Sequence, residues 1–232
     1  MTSSRSATTA RRSTIGLKIL MAGTGIVFVA YVLLHMYGNL KALAGEEAFN
    51  TYAEHLRTIG EPMLPYGGLL WVIRVVLLLS LVGHAYAAFS LWSRAGNARR
   101  TKYAAVKTAM RTAWMRWGGV FLLLFVVWHL LQFTILKFSV NPDRQGVNVQ
   151  QNPYELVVAS FQVPWNTLIY VLAMLALALH LSHGTFSAQQ TLGWTMTSHA
   201  YRRAKMVGHA VAAVIVVGFL IPPLSILFGL IK

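Results

Sequence analysis

The sequence predicts an all-α membrane protein: a five-transmembrane-helix bundle, N-terminus inside, with short helices on its outer surface. Three observations carry that expectation. Five apolar runs are each long enough to cross a hydrocarbon layer, which takes about 20 helical residues. Only 11% of the 232 residues are charged and 56% are hydrophobic, with a mean hydropathy of +0.55. A soluble domain carries about 25% charged residues. Finally, basic and acidic residues fall in different connections between the runs, the pattern that membrane insertion imposes.

Residues 1–13 are almost all Ser, Thr, Ala and Arg. They have little apolar surface to bury and are expected to form a disordered basic tail, leaving 14–232 as a single transmembrane helical domain. The spans fall at about 15–40, 67–92, 114–138, 165–189 and 206–230. The first is too long for a signal peptide and is followed by others. Trp71, Trp92, Trp114, Trp117 and Trp165 stand near span ends, where an aromatic belt belongs. Pro222 and Pro223 are expected to bend or break the last span. Between Glu46 and Gly60, the residues Phe49, Tyr52, Ala53, Leu56 and Ile59 share one helical face, which predicts an amphipathic helix on the outer surface. Asn152–Pro153 has the form of an N-cap with proline at the first helical position, opening a second short helix to about Phe161. No internal repeat is evident.

The net charge is +14. In a soluble chain that would suggest nucleic acid; here the cations are clustered between apolar runs, and no nucleic-acid partner is expected. The tail with the start of the first span, the second-to-third connection and the fourth-to-fifth connection hold 14 of the 20 basic residues, and all six acids lie on the opposite side. The basic side is therefore predicted to be inside, with the C-terminus outside. The absence of cysteine excludes disulfides, c-type haem attachment and thiolate-bound iron within this chain.

Each of the first four spans contributes a histidine: His35, His84, His129 and the pair His180/His183. Ionisable groups inside a membrane are rare and usually face a bundle interior. The first and third spans run outward, which puts His35 and His129 in the outer half. The second and fourth run inward, and His84 and His180 lie about 16 residues, roughly 24 Å, from the outer end. The histidines thus sort into an outer pair, His35 with His129, and an inner pair, His84 with His180 or His183. Facing imidazoles at one depth suit the two axial positions of one haem iron, so two pairs would hold two haem b groups in a bundle core. A single buried histidine is more often a hydrogen-bonded core residue; matched depths on four helices favour ligation. His180 and His183 share nearly one face, and His180 is the preferred ligand. His55, His199 and His209 are read as a surface-helix residue, an inner-loop residue and a residue opening the last span.

At these residues the chain resembles the five-helix, di-haem cytochrome b membrane-anchor subunit of succinate dehydrogenase and fumarate reductase. The likeness rests on His35-Met36-Tyr37-Gly38-Asn39-Leu40, Ala48-Phe49-Asn50-Thr51-Tyr52-Ala53, Gly83-His84-Ala85-Tyr86, Val127-Trp128-His129, and His180-Leu181-Ser182-His183-Gly184 followed by Gln190-Thr191-Leu192-Gly193. It implies a bacterial plasma-membrane complex with two partner subunits: a flavoprotein carrying covalent FAD and an iron–sulfur subunit. It implies electron transfer through haem b to or from a quinone, expected to be menaquinone. It also implies distal-haem ligands at His35 and His129 and proximal-haem ligands at His84 and His180, with His183 the alternative.

Arg74, about two turns inside the second span, is a candidate partner for a distal haem propionate or the quinone, or else a snorkelling interfacial cation. The basic stretch from Arg94 to Arg116, with Lys18, would dock the iron–sulfur subunit, hold proximal propionates or serve only as a topology signal. Glu61, Tyr66, Trp128 and Gln132 are candidate quinone contacts. The chain has no G-x-G-x-x-G nucleotide motif, so any dehydrogenase activity belongs to the complex. Two rivals are a cytochrome b subunit of another membrane dehydrogenase, of the hydrogenase or formate dehydrogenase type, and a non-haem transporter with structural histidines.

Overall fold

A computed structural model describes residues 13–97, 106–144 and 152–232. The first twelve residues of the expected tail, and Arg99, Arg100 and Lys102 of the basic connection, lie outside the described residues. Seven α-helices, and no strand, are present among the described residues. They are α1 (Thr14–Leu40), α2 (Glu46–Thr58), α3 (Gly68–Asn97), α4 (Val106–Leu130), α5 (Pro153–Phe161), α6 (Pro164–Thr191) and α7 (Ser198–Leu227). Five of them, α1, α3, α4, α6 and α7, are long and apolar enough to cross a membrane, as the sequence predicts. Their outward side chains, among them Leu78, Leu79, Val82, Leu124 and Leu175, are exposed. Water would penalise such a surface by about 25 cal/mol per Å²; lipid does not.

Local chemistry sets the helix ends. The Ser13 hydroxyl caps α1 by accepting from the Gly16 amide at 2.9 Å, satisfying one of the orphan donors of the first turn. A 3₁₀ turn over Lys41–Ala44 follows, and Gly45, at φ +93°, swings the chain into α2. That backbone region is open to glycine and strained for side chains. Asn152 caps α5 through the Glu155 amide at 3.2 Å with Pro153 behind it. α4 ends in a π-helical turn over Leu131–Ile135.

The second short helix forms where expected, as α5, and it is covered by α2, α6 and α7: Tyr154, Leu156, Val158, Ala159, Ser160 and Phe161 are buried. Two expectations need correction. α7 begins at Ser198, eight residues before the expected span, with the Thr197 hydroxyl as its cap. His199, Arg202 and Arg203 therefore lie on its first turns and not in a loop. Finally, Pro222 and Pro223 do not end α7, which continues to Leu227 with both prolines buried. Packing against neighbouring helices sustains a helix through proline in such a setting.

α6 and α7 pack most closely. A Cβ at Gly208 would lie 2.6 Å from the Ser182 carbonyl oxygen, so only glycine admits this approach, as small residues do at membrane helix interfaces. α1 packs on α3, α6 and α7, and α6 on α4. Among the described residues, no comparable backbone packing joins α1 to α4 or α3 to α6. α2 is pinned to α5 at the acidic end of the bundle: Asn50 donates to Asn152 at 2.9 Å and accepts from the Tyr154 amide at 3.1 Å. Asn152 in turn donates to Glu46 at 2.6 Å.

Candidate functional site

Four of the histidines meet in pairs. The His35 and His129 rings, from α1 and α4, have centres 5.8 Å apart and planes at 79°. The His84 and His180 rings, from α3 and α6, have centres 6.1 Å apart and planes at 54°. Each pair joins two helices that, among the described residues, do not pack closely along their backbones.

The two pairs lie at different depths, and three helices measure the difference. α1 presents Thr24 to His84 and, eleven residues later, His35 to His129. α6 presents Tyr170 to His129 and, ten residues later, His180 to His84. α4 places Gly119 beside His180 and, ten residues later, His129. At 1.5 Å per residue all three give a separation of about 15–17 Å.

Neighbours fix the rings. The Thr24 hydroxyl lies 3.0 Å from His84 Nδ1, and the Tyr170 hydroxyl lies 3.2 Å from His129 Nδ1. Tyr170 donates to Gln132 Oε1 at 2.9 Å, and Gln132 is fully buried. His35 stacks on Tyr31 at 5.4 Å. A Cβ at Gly25 would sit 3.7 Å from His84 Cε1, and one at Gly119 would sit 3.6 Å from His180 Cε1. Both glycines thus lie against the ring edges at a distance where an added methyl would make ordinary van der Waals contact.

The remaining candidates separate. His183 Nε2 lies 3.2 Å from the Ser187 hydroxyl, and the residue lines a cavity of about 390 Å³ with Trp114, Ser182, Lys205 and His209. His209 donates through Nδ1 to the Lys205 carbonyl at 2.7 Å. Arg74 is exposed and lies over the Trp71 ring at 4.9 Å, within electrostatic reach of Tyr31, the residue stacked on His35. Of the proposed quinone contacts, Gln132 and Trp128 lie beside His129, and the Trp128 indole nitrogen and Gln132 Nε2 are buried without a hydrogen-bond partner among the described residues. Tyr66 and Glu61 are exposed before α3, where Tyr66 donates to Glu54 at 2.9 Å. No contact among the described residues joins them to Trp128 or Gln132. Sequence reasoning missed Thr24, Tyr170, Gly25 and Gly119. A hydroxyl or a glycine at ten or eleven residues from a histidine on the same span was the available signal.

Fold and pairs together define a class: a helical-bundle membrane protein with facing imidazoles at two depths of its interior. Residues 92–221 match the family described as succinate dehydrogenase/fumarate reductase transmembrane subunit, and the chain belongs to that family. It is similar to the succinate dehydrogenase cytochrome b558 subunit of Bacillus subtilis (strain 168), at 26% identity over 184 residues, which cover 77% of this chain and 80% of that protein. No solved structure matches it.

A b-type haem is the cofactor a cytochrome b subunit implies, and the residues fit one. A ligating imidazole nitrogen stands about 2 Å from its metal and about 1 Å from its own ring centre, so two rings on one ion have centres about 6 Å apart. Both pairs meet that spacing. Each supplies two nitrogen donors, and no cluster of three or more His, Cys, Asp or Glu side chains is present among the described residues. Two axial donors are what a porphyrin iron needs from protein.

Proposed function

We propose that this chain passes electrons between an iron–sulfur subunit on its basic side and a quinone, menaquinone by expectation, near its acidic end. The two depth-separated imidazole pairs carry this reading. His84 and His180 would hold one haem b, and His35 and His129 a second. Haem held by these residues would supply one-electron transfer. The chain's own contribution is to orient the four rings, to hold them half-buried between its helices, and to space the pairs along the membrane normal. Its partners would be an iron–sulfur subunit and a flavoprotein carrying FAD, with succinate or fumarate chemistry confined to the latter. Trp128 and Gln132, with buried donors lacking partners next to His129, are the favoured quinone contacts of the four candidates, and Arg74 would complement negative charge near His35.

The test is a reduced-minus-oxidised spectrum of the purified complex with extraction and counting of haem. Two haems b per chain are expected, falling to about one in His35→Ala and in His84→Ala. A wild-type complex without haem would sink the reading.

The charge distribution supports a cytoplasmic N-terminus and an external C-terminus in a bacterial plasma membrane. Phosphatase reporters fused after Thr58 and after Lys232 should be active, and one fused after Thr191 inactive; the inverse pattern would reverse the orientation.

A further inference from the structure

We infer that Thr24 and Tyr170 are positioning residues that each fix the tautomer of one histidine per pair, and so set the two haem potentials separately. The inference rests on the proposed ligation and goes beyond it.

A hydroxyl has a single proton to give. Thr24 lies 2.7 Å from the Leu20 carbonyl and 3.2 Å from that of Met21. Both are obligate acceptors, so the Thr24 proton is committed to them. At the 3.0 Å contact with His84, Thr24 must then be the acceptor and Nδ1 the donor. A neutral imidazole with its proton on Nδ1 has an unprotonated Nε2, the atom free to face iron.

The second pair repeats the logic with different residues. Tyr170 spends its proton on Gln132 Oε1 at 2.9 Å. Its oxygen then accepts from His129 Nδ1 at 3.2 Å, and His129 Nε2 is likewise left free. The arrangement is one-sided at the His84 pair: His180 Nδ1 is buried with no partner among the described residues. A ligand imidazole that donates from its other nitrogen becomes more basic. It therefore stabilises ferric over ferrous iron and lowers that haem's potential.

The experiment is a redox titration of both haems, with low-spin EPR, on the intact membrane complex carrying Thr24→Val, Thr24→Ser or Tyr170→Phe. Thr24→Val should keep two haems and raise one midpoint potential only, Thr24→Ser should restore it, and Tyr170→Phe should raise the other. Unchanged potentials in both Thr24→Val and Tyr170→Phe, or equal movement of both haems in either, would overturn the inference. Loss of a haem in Thr24→Val supports it if Thr24→Ser retains that haem at its wild-type potential; loss in both variants shows a packing role and overturns it. A wild type without haem would instead defeat the underlying ligation.

Discussion

His180, and not His183, has its ring centre 6.1 Å from that of His84. The two residues of α6 are three apart and nearly on one face, yet the turn between them sends His183 toward Ser187 and the cavity beside α7. Replacing His180 by Ala should therefore cost the complex one of its two haems, while His183→Ala should keep both. Haem extraction from the two purified variants decides this, and the opposite pattern would move the ligand to His183.

The α6–α7 contact makes a prediction about stability. A methyl group at Gly208 would meet the Ser182 backbone oxygen at 2.6 Å, whereas one at Gly23 meets nothing within 4 Å. Backbone cannot swing aside, so the helices must separate. Overpacking of this kind costs about 1–3 kcal/mol. Gly208→Ala should lower the thermal midpoint of the detergent-solubilised subunit, and Gly23→Ala should not. Equal midpoints would mean that the interface yields without cost.

Tyr66 gives a pH dependence outside the membrane spans. Its hydroxyl donates to both Glu54 carboxylate oxygens, at 2.9 and 3.0 Å, and this bond, aided by the carboxylate charge, holds the phenol above its ordinary value. Ionising the phenol removes the donor. The contact's contribution is thus complete below pH about 10, the ordinary tyrosine value, and is lost as pH rises through the higher folded value. Glu54→Gln should bring the Tyr66 titration down toward pH about 10, seen in the alkaline absorbance difference between each protein and its Tyr66→Phe counterpart. Superimposable titrations would show that the carboxylate has no hold on the phenol.

Much of the candidate site was legible because a membrane restricts what a chain can do. A histidine in an apolar span is conspicuous, and its depth follows from the residue count at 1.5 Å per residue. His35, His84, His129 and His180 were singled out in that way as candidate ligands, and the rings of His35 and His129, and of His84 and His180, stand about 6 Å apart. Glu61 and Tyr66 were not separable from Trp128 and Gln132 by the same means. All four lie toward one end of the bundle, and distance along the membrane normal says nothing about lateral position or burial. The misplaced start of α7 has a related cause. His199, Arg202 and Arg203 interrupt the hydropathy of the span, but helix formation depends on backbone hydrogen bonds and the Thr197 cap, which continue past the lipid boundary.

By itself, the sequence determined the number of spans, the segregation of charge between the two ends, the surface helix α2, and the depth of each histidine. These depend on one-dimensional quantities: run length, period and count. Only the tertiary structure decided that α1 faces α4 and α3 faces α6 across unpacked gaps, that α5 is buried, and that Thr24 and Tyr170 reach the ring nitrogens of His84 and His129. Those outcomes depend on rotation of each helix about its own axis. That rotation is set by the mutual fit of five apolar surfaces, such as the one Gly208 opens against Ser182, and near-uniform hydrophobicity leaves no amphipathic stripe from which it can be read.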